Sequence, residues 1–223
     1  MAENLEKIGA ITQTSRMTGD ARRSQILSVA IKLFSRDGFS GTTTKEIARA
    51  AGVSEAMVFR HFATKGELYH AILDHKTCES GKFVLPWEAA AQKKAVQENN
   101  DYEVFYNLAL TALEHQQKDV DFMRLLFHSA LEEHELAQIF FQQFVSPLYD
   151  FLGAYIRKRQ IAGAMREAEP RVVVRAFLGM IIHHSLNNIL WDKKRRLLKI
   201  SNEEAARSFA EILLKGILKE NKK

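Results

Sequence analysis

One cysteine, three prolines and no apolar run of 18 residues bound what this 223-residue chain can be. A lone Cys78 cannot close an internal disulfide, which fits a reducing compartment and an inert helical thiol. Without a long apolar run nothing spans a membrane, and the N-terminus lacks the apolar core of a signal peptide, so a cytoplasmic location is expected. No segment alternates apolar and polar residues as a strand does, and no internal repeat is evident. A Gly-rich phosphate loop and HExxH spacing are both missing. Cys78 has no evident partner base. His183 and His184 point about 100° apart on a helix, and His128 and His134 are six residues apart, so neither pair chelates well. These absences argue against an enzyme, and no metal or cofactor is implied.

What is present is a chain 46% apolar and 26% charged, enough for a substantial core. The net charge is +5, and its distribution is uneven. Nine Lys or Arg and four Asp or Glu lie between Arg16 and Lys65, so the whole excess sits in that stretch and the remainder is balanced. A local basic surplus of this kind suits phosphate binding.

The basic stretch contains TTKEIARAAGVSEAMVFRHF, residues 43 to 62, where two helix starts flank a glycine. Thr43 and Glu46 have the spacing of a capping box. Ile47, Ala48 and Ala51 then share a face, and Gly52 falls where a left-handed stop is needed. Val53 plugs the corner, and Ser54 caps a second short helix after a three- or four-residue turn, which makes a helix-turn-helix. In that second helix Val58 and Phe62 point inward. Ala56 and Arg60 point outward, flanked by Met57 and Phe59. A small residue beside an arginine suits close approach to a base-pair edge, where arginine takes guanine O6 and N7 together.

The stretch from Gly38 to Leu68 closely resembles the DNA-binding domain of the TetR family of transcriptional regulators. The resemblance rests on Gly38, Phe39, Thr42, Thr43, Ile47, Ala48, the run Ala51-Gly52-Val53-Ser54, His61-Phe62, Lys65 and Leu68. It implies that Thr43 and Lys65 hold phosphates, that Thr44 and Lys45 lie near the groove edge, and that residues 55 to 61 are the recognition helix. Two positions depart from the family pattern: Ala56 replaces the usual glycine or proline, and Phe59 replaces a tyrosine whose hydroxyl meets a phosphate. An apolar contact is expected at Phe59, with more dependence on His61 and Lys65 for anchoring. Glu55 is placed to accept from a cytosine amino group.

Periodicity predicts an all-α chain of about nine or ten helices: a tail over 1–19, the DNA-binding unit over 20–65 and a larger bundle over 66–223. Arg16, Arg22 and Arg23 are placed to let the tail's end reach the DNA backbone or a minor groove. The first helix spans Asp20 to Arg36. Helices follow over Lys65 to Cys78, Tyr102 to Gln117, Asp119 to Glu133 and Glu135 to Arg159. Residues 79 to 100 read as a link with a short helix from Trp87 to Gln97. Pro147 cannot donate to the Gln143 carbonyl, so a kink is expected there.

The last two helices, 170–192 and 202–219, are expected to carry a homodimer through Val173, Phe177, Met180, Ile181, His184, Phe209, Ile212, Leu213 and Ile217. The resemblance implies the same four-helix dimer, a palindromic double-stranded DNA operator, and release by a small-molecule effector enclosed in the bundle. Phe105, Met123, Phe127, Phe144, Leu148, Phe177 and Ile181 are the expected pocket lining, favouring a hydrophobic or aromatic ligand, with His128 and His184 as polar contacts. Each of these side chains also reads as core. A DNA-binding protein that answers to a protein partner, or works without a small molecule, is the alternative.

Overall fold

The computed structural model describes residues 17–78 and 85–218. Residues 1–16 of the tail expected over 1–19, including Arg16, lie outside the described residues, as do 79–84 of the expected link and the Cys78 side chain. Eleven α-helical segments occur in the described residues: α1 Gly19–Asp37, α2 Thr44–Ala50, α3 Glu55–His61, α4 Lys65–Cys78, α5 Ala90–Gln97, α6 Asp101–Lys118, α7 Val120–Leu131, α8 Glu135–Phe140, α9 Ser146–Ile161, α10 Pro170–Leu186 and α11 Asn202–Ile217. A π turn over Phe141–Val145 joins α8 to α9 without a break, so these two make one rod and the helices number ten.

Local chemistry places the boundaries. Thr18 caps α1 by accepting from Ala21 N at 3.2 Å. Asn100 does the same for α6 through Glu103 N, and Ser201 with Glu204 forms a complete capping box on α11. The π turn answers the missing donor of Pro147: Ser146 N–H reaches back five residues to Phe141 O, so the ladder changes register where the Gln143 carbonyl loses its partner. A second π turn, Asn187–Trp191, extends α10.

Two cores hold the helices together. The first is built around Phe105, Leu108, Leu152, Tyr155, Phe177, Ile181 and Leu213. The second joins Ile26, Phe34, Ile47, Val58, Phe62 and Tyr69 of the N-terminal helices to Leu125, Leu126 and Leu136 of α7 and α8. Packing thus carries the N-terminal core across the boundary expected at residue 65. Helix α7 lies along α1 and acts as the seat of the N-terminal helices.

The outward surfaces of α10 and α11 differ in part from expectation: of the nine residues expected there Ile212 is exposed, and Met180, His184 and Phe209 are half-buried. Val173, Phe177, Ile181, Leu213 and Ile217 are buried inside the subunit. Val172, Ala176, Gly179 and Ile182 of α10 face out, as do Ser208, Ile212 and Gly216 of α11. The cause is that α10 is apolar around most of its circumference, so periodicity does not single out one face.

Candidate nucleic-acid interface

The interface is assembled by caps. Thr43 Oγ1 accepts from Glu46 N at 3.2 Å and donates to Glu46 Oε2 at 2.8 Å, while Thr43 N donates to the same carboxylate at 2.9 Å. These bonds, the Thr43 N–H first, hold the Glu46 carboxyl below its ordinary pKa. Gly52 takes φ +65°, the left-handed stop between the two helices. Ser54 Oγ accepts from Met57 N at 3.2 Å and starts α3.

Helix α3 buries Val58, and Phe62 beyond it is buried too. Its opposite face exposes Ala56, Phe59 and Arg60, with Phe59 45% exposed. Met57 and His61 are half-buried at the flanks, and Lys45 is exposed on α2. Glu55 is turned toward α2, where Thr44 Oγ1 donates to its Oε1 at 2.6 Å. In this conformation Glu55 clamps the two helices rather than reaching outward for a base. Arg22 and Arg23 lie within α1, inside the span expected for the first helix, and pack locally: Arg22 donates to Gln25, and the Arg23 guanidinium sits 4.7 Å from the centre of the Phe62 ring.

Lys65 also turns inward. Its ammonium donates to Phe39 O at 2.8 Å and Thr42 O at 3.0 Å and lies over the Phe39 ring. It thereby closes the loop between α1 and α2. The same loop is tied to the bundle, because Phe39 N donates to Glu132 Oε2 at 3.1 Å at the end of α7. Gly38, at φ +73°, leaves no room for a Cβ against that carboxylate. Phe39 and Tyr69 pack edge to face, and both lie against the His134 ring. Burial pushes the Tyr69 hydroxyl up to a pKa of about 12 and depresses that of His134.

The seven residues expected to line an effector pocket are divided. Phe105, Phe177 and Ile181 are buried in the bundle core, where the two rings meet edge to face at 5.1 Å. Leu148 flanks that core, and Met123 packs against the N-terminal core. Phe144 stacks on Phe140, and Phe127 is half-buried on α7. A cavity of about 260 Å³ lies elsewhere, between α6, α7 and the end of α10. It is lined by Leu113, Gln117, Val120, Arg124, His184, Ser185, Asn188, Ile189, Lys193, Arg195 and Asn202. Of the expected ligand contacts only His184 is there. The signal available in the sequence was the basic run Lys193 to Lys199.

Among the described residues no helix is long and apolar enough to cross a membrane. Residues 26–72 match the family model described as bacterial regulatory proteins, tetR family. The transcriptional regulator AcrR of Shigella flexneri is 33% identical over 79 residues, 35% of this chain and 37% of that protein. The transcriptional repressor NicS of Pseudomonas putida is 34% identical over 56 residues, 25% of this chain and 26% of that protein. These alignments therefore span little more than a third of the relatives' length, or less. The nucleoid occlusion factor SlmA of Glaesserella parasuis is 33% identical over 117 residues, 52% of this chain and 54% of that protein. In fold, the chain is similar to NalD, the secondary repressor of the MexAB-OprM efflux pump in Pseudomonas aeruginosa, with TM-score 0.63 and 23% identity over 92% of this chain and 100% of that one. AibR, solved with isovaleryl coenzyme A and operator DNA, gives TM-score 0.63 at 22% identity over 86% and 98%. The capped helix pair of residues 43 to 62 is thus the helix-turn-helix of a TetR-family DNA-binding domain, carried on an all-helical chain of TetR-like fold.

Proposed function

We propose that this chain is a TetR-type transcriptional regulator, a repressor that binds a palindromic operator as a homodimer and leaves it when a small effector binds. The observation that carries the reading is α3, a short capped helix presenting Ala56, Phe59 and Arg60 outward in the stretch that holds the chain's whole positive excess. Arg60 reads guanine, Phe59 makes an apolar contact with a thymine methyl or sugar, and Thr43, Lys45 and His61 anchor phosphates. Lys65 contributes from within, holding the α1–α2 loop at the backbone through the Phe39 and Thr42 carbonyls. Two subunits pair through the outward faces of α10 and α11, which sets the separation of the two recognition helices to one DNA turn or a multiple of it.

The effector acts by population shift. A ligand preferring the conformation with a displaced DNA unit lowers operator affinity by its differential binding, and roughly 1–3 kcal/mol of coupling suffices for a 5- to 150-fold change. Helix α7 supports this route, since it packs against α1 and its Glu132 holds the Phe39 N–H.

Selection of duplexes from a random DNA pool by the purified protein tests the reading, repeated with Arg60→Ala. Enrichment of a palindrome that the variant no longer selects is expected. Sequence-indifferent, salt-sensitive binding by both proteins would defeat it. A second reading, a DNA-binding protein without small-molecule control, is favoured by the match to a nucleoid occlusion factor over about half of this chain. It predicts a palindrome whose affinity no small molecule alters.

A further inference from the structure

We infer that the cavity between α6, α7 and the end of α10 is a binding site for a small amphipathic organic anion, one carboxylate or phosphate on a compact apolar body. As the effector site, this rests on the regulator reading above; as a ligand site, it stands on the cavity alone.

The lining divides by chemistry. Leu113 and Ile189 are buried, and with Val120 they give an apolar floor. Three cations line the cavity, Arg124 from α7 and Lys193 and Arg195 from the loop that follows the second π turn, and no carboxylate does. Among the described residues no carboxylate lies within ion-pair distance of any of the three. Arg124 spends a long 3.5 Å bond on Ile189 O, and Arg195 one of 3.4 Å on Ile200 O, leaving the remaining donors of both guanidinium forks. Concentrating like charge beside an apolar surface costs free energy unless an anion compensates it.

The site is also built, since local bonds hold its walls. Asp192 Oδ1 and Oδ2 accept from Arg196 N and Leu197 N at 2.7 and 2.8 Å, and Arg195 N donates to Asp192 O. This turn forces Arg195 to φ +49°, a left-handed backbone that a non-glycine residue adopts only when the surroundings impose it. Asn188 lies 2.9 Å from His184 Nε2, and Asn202 donates to Gln117 Oε1 at 2.6 Å across the mouth. Burial, with Arg195 and His183 adding to it, keeps His184 largely neutral at pH 7, so it serves as a hydrogen-bonding partner rather than a fourth charge. The small volume excludes a large ligand. An adjoining groove of about 460 Å³ shares Lys193 and Arg195 and adds Lys194 and Lys199, and its Glu204 is already committed to capping Ser201. An anionic head that outgrows the inner cavity meets further cations there.

The ligand would act directly on the seat of the DNA unit. Arg124 is on α7, and the next two residues, Leu125 and Leu126, are in the core shared with α1. An anion drawing on Arg124 therefore pulls the helix on which the helix-turn-helix rests.

Calorimetric titration of the full chain tests the site without any DNA. Octanoate, benzoate and phenyl phosphate serve as probes, against octanol, benzyl alcohol and inorganic phosphate. Saturable binding of at least one organic anion is expected, with its neutral counterpart and inorganic phosphate at least tenfold weaker. Arg124→Gln and Lys193→Gln should each weaken it about tenfold or more, the loss expected for a hydrogen bond to a charged group, while Lys158→Gln on α9 leaves it unchanged. Lys193 is exposed, so its variant carries the test if Arg124→Gln does not fold. Binding of alcohols as tight as that of anions, equal binding of inorganic phosphate, unaltered binding by the folded variants, or no binding of any organic anion would each overturn the assignment. A failed duplex selection alongside successful titration would sink the regulator reading alone, and the reverse outcome this site alone.

Discussion

Asp101 shows how one residue can do two jobs in this fold. It opens α6, where a carboxylate is favoured by the helix dipole. It also receives Arg159 of α9 in a two-pronged pair, Nε to Oδ1 at 2.7 Å and Nη2 to Oδ2 at 2.9 Å, plus the Tyr155 hydroxyl at 2.6 Å. The two charged side chains are only 11% and 17% exposed, so the pair is screened little by solvent. Burial, then the bond to Asp101, raises the Tyr155 hydroxyl well above its ordinary value, so it remains a donor throughout the working pH range. Removing one partner leaves the other charge stranded. Asp101→Ala is expected to cost about 3–5 kcal/mol, and Tyr155→Phe, which keeps the ring and loses one bond to a charged acceptor, about 1.5–3 kcal/mol. Urea unfolding of both variants checks the order, and a Tyr155→Phe loss larger than that of Asp101→Ala would refute this account. At the same scale, Lys65 and Glu55 were legible as members of the DNA-binding unit but not in their orientation. Their partners, Phe39 O, Thr42 O and Thr44, are brought to them only when the helices pack.

Helix α2 is seven residues long, too short to persist by propensity, so its start depends on the Thr43–Glu46 box and its end on Gly52. Thr43→Ala should cost about 1 kcal/mol. Gly52→Ala should cost about 1–2 kcal/mol, because φ +65° penalises any Cβ even with open space around it. The box also has a pH signature. Glu46 titrates below its ordinary value when folded, so its contribution is present above the unfolded value, about 4.3, and disappears as pH falls through the lower folded value. Hydrogen exchange at the Thr43 and Glu46 amides should therefore accelerate in acid in the native chain, relative to the intrinsic rate, and show no such dependence in Glu46→Gln. Equal pH dependence in both would remove the box from the explanation. Elements of this kind were readable because caps and a left-handed glycine are settled within four residues of sequence; the missing Pro147 donor was readable for the same reason, although a kink was expected near Gln143 and a π turn over Phe141–Val145 is found. The faces of α10 were not, since apolar residues surround it. The cationic cavity was hidden because Arg124 meets Lys193 and Arg195 only when α7 packs beside the loop that follows α10, while most of the aromatic residues that suggested a pocket lie in the cores instead.

For the whole molecule the decisive surface is the one that packing inside the subunit leaves uncovered. Val172 and Ile212 are 64% and 61% exposed, and Ala176, Gly179, Ser208 and Gly216 stand beside them on the same outward faces. Apolar side chains among small residues let two helices approach closely, and pairing both faces with those of a second copy gives a four-helix interface. In the proposed dimer, Ile212→Glu puts two carboxylates against each other across the two-fold axis, and because Ile212 is exposed the substitution costs the isolated subunit no more than about 0.5 kcal/mol. Sedimentation should then report a monomer whose thermal unfolding and helicity match a native subunit's intrinsic values. Operator affinity should fall steeply, because a single recognition helix reads one half-site and keeps only its own phosphate contacts. A shortened salt dependence on the full operator, together with unchanged affinity for an isolated half-site, would identify lost pairing as the cause. If Ile212→Glu instead sediments as a dimer, the subunits meet elsewhere, and the spacing of the recognition helices must be set by another surface.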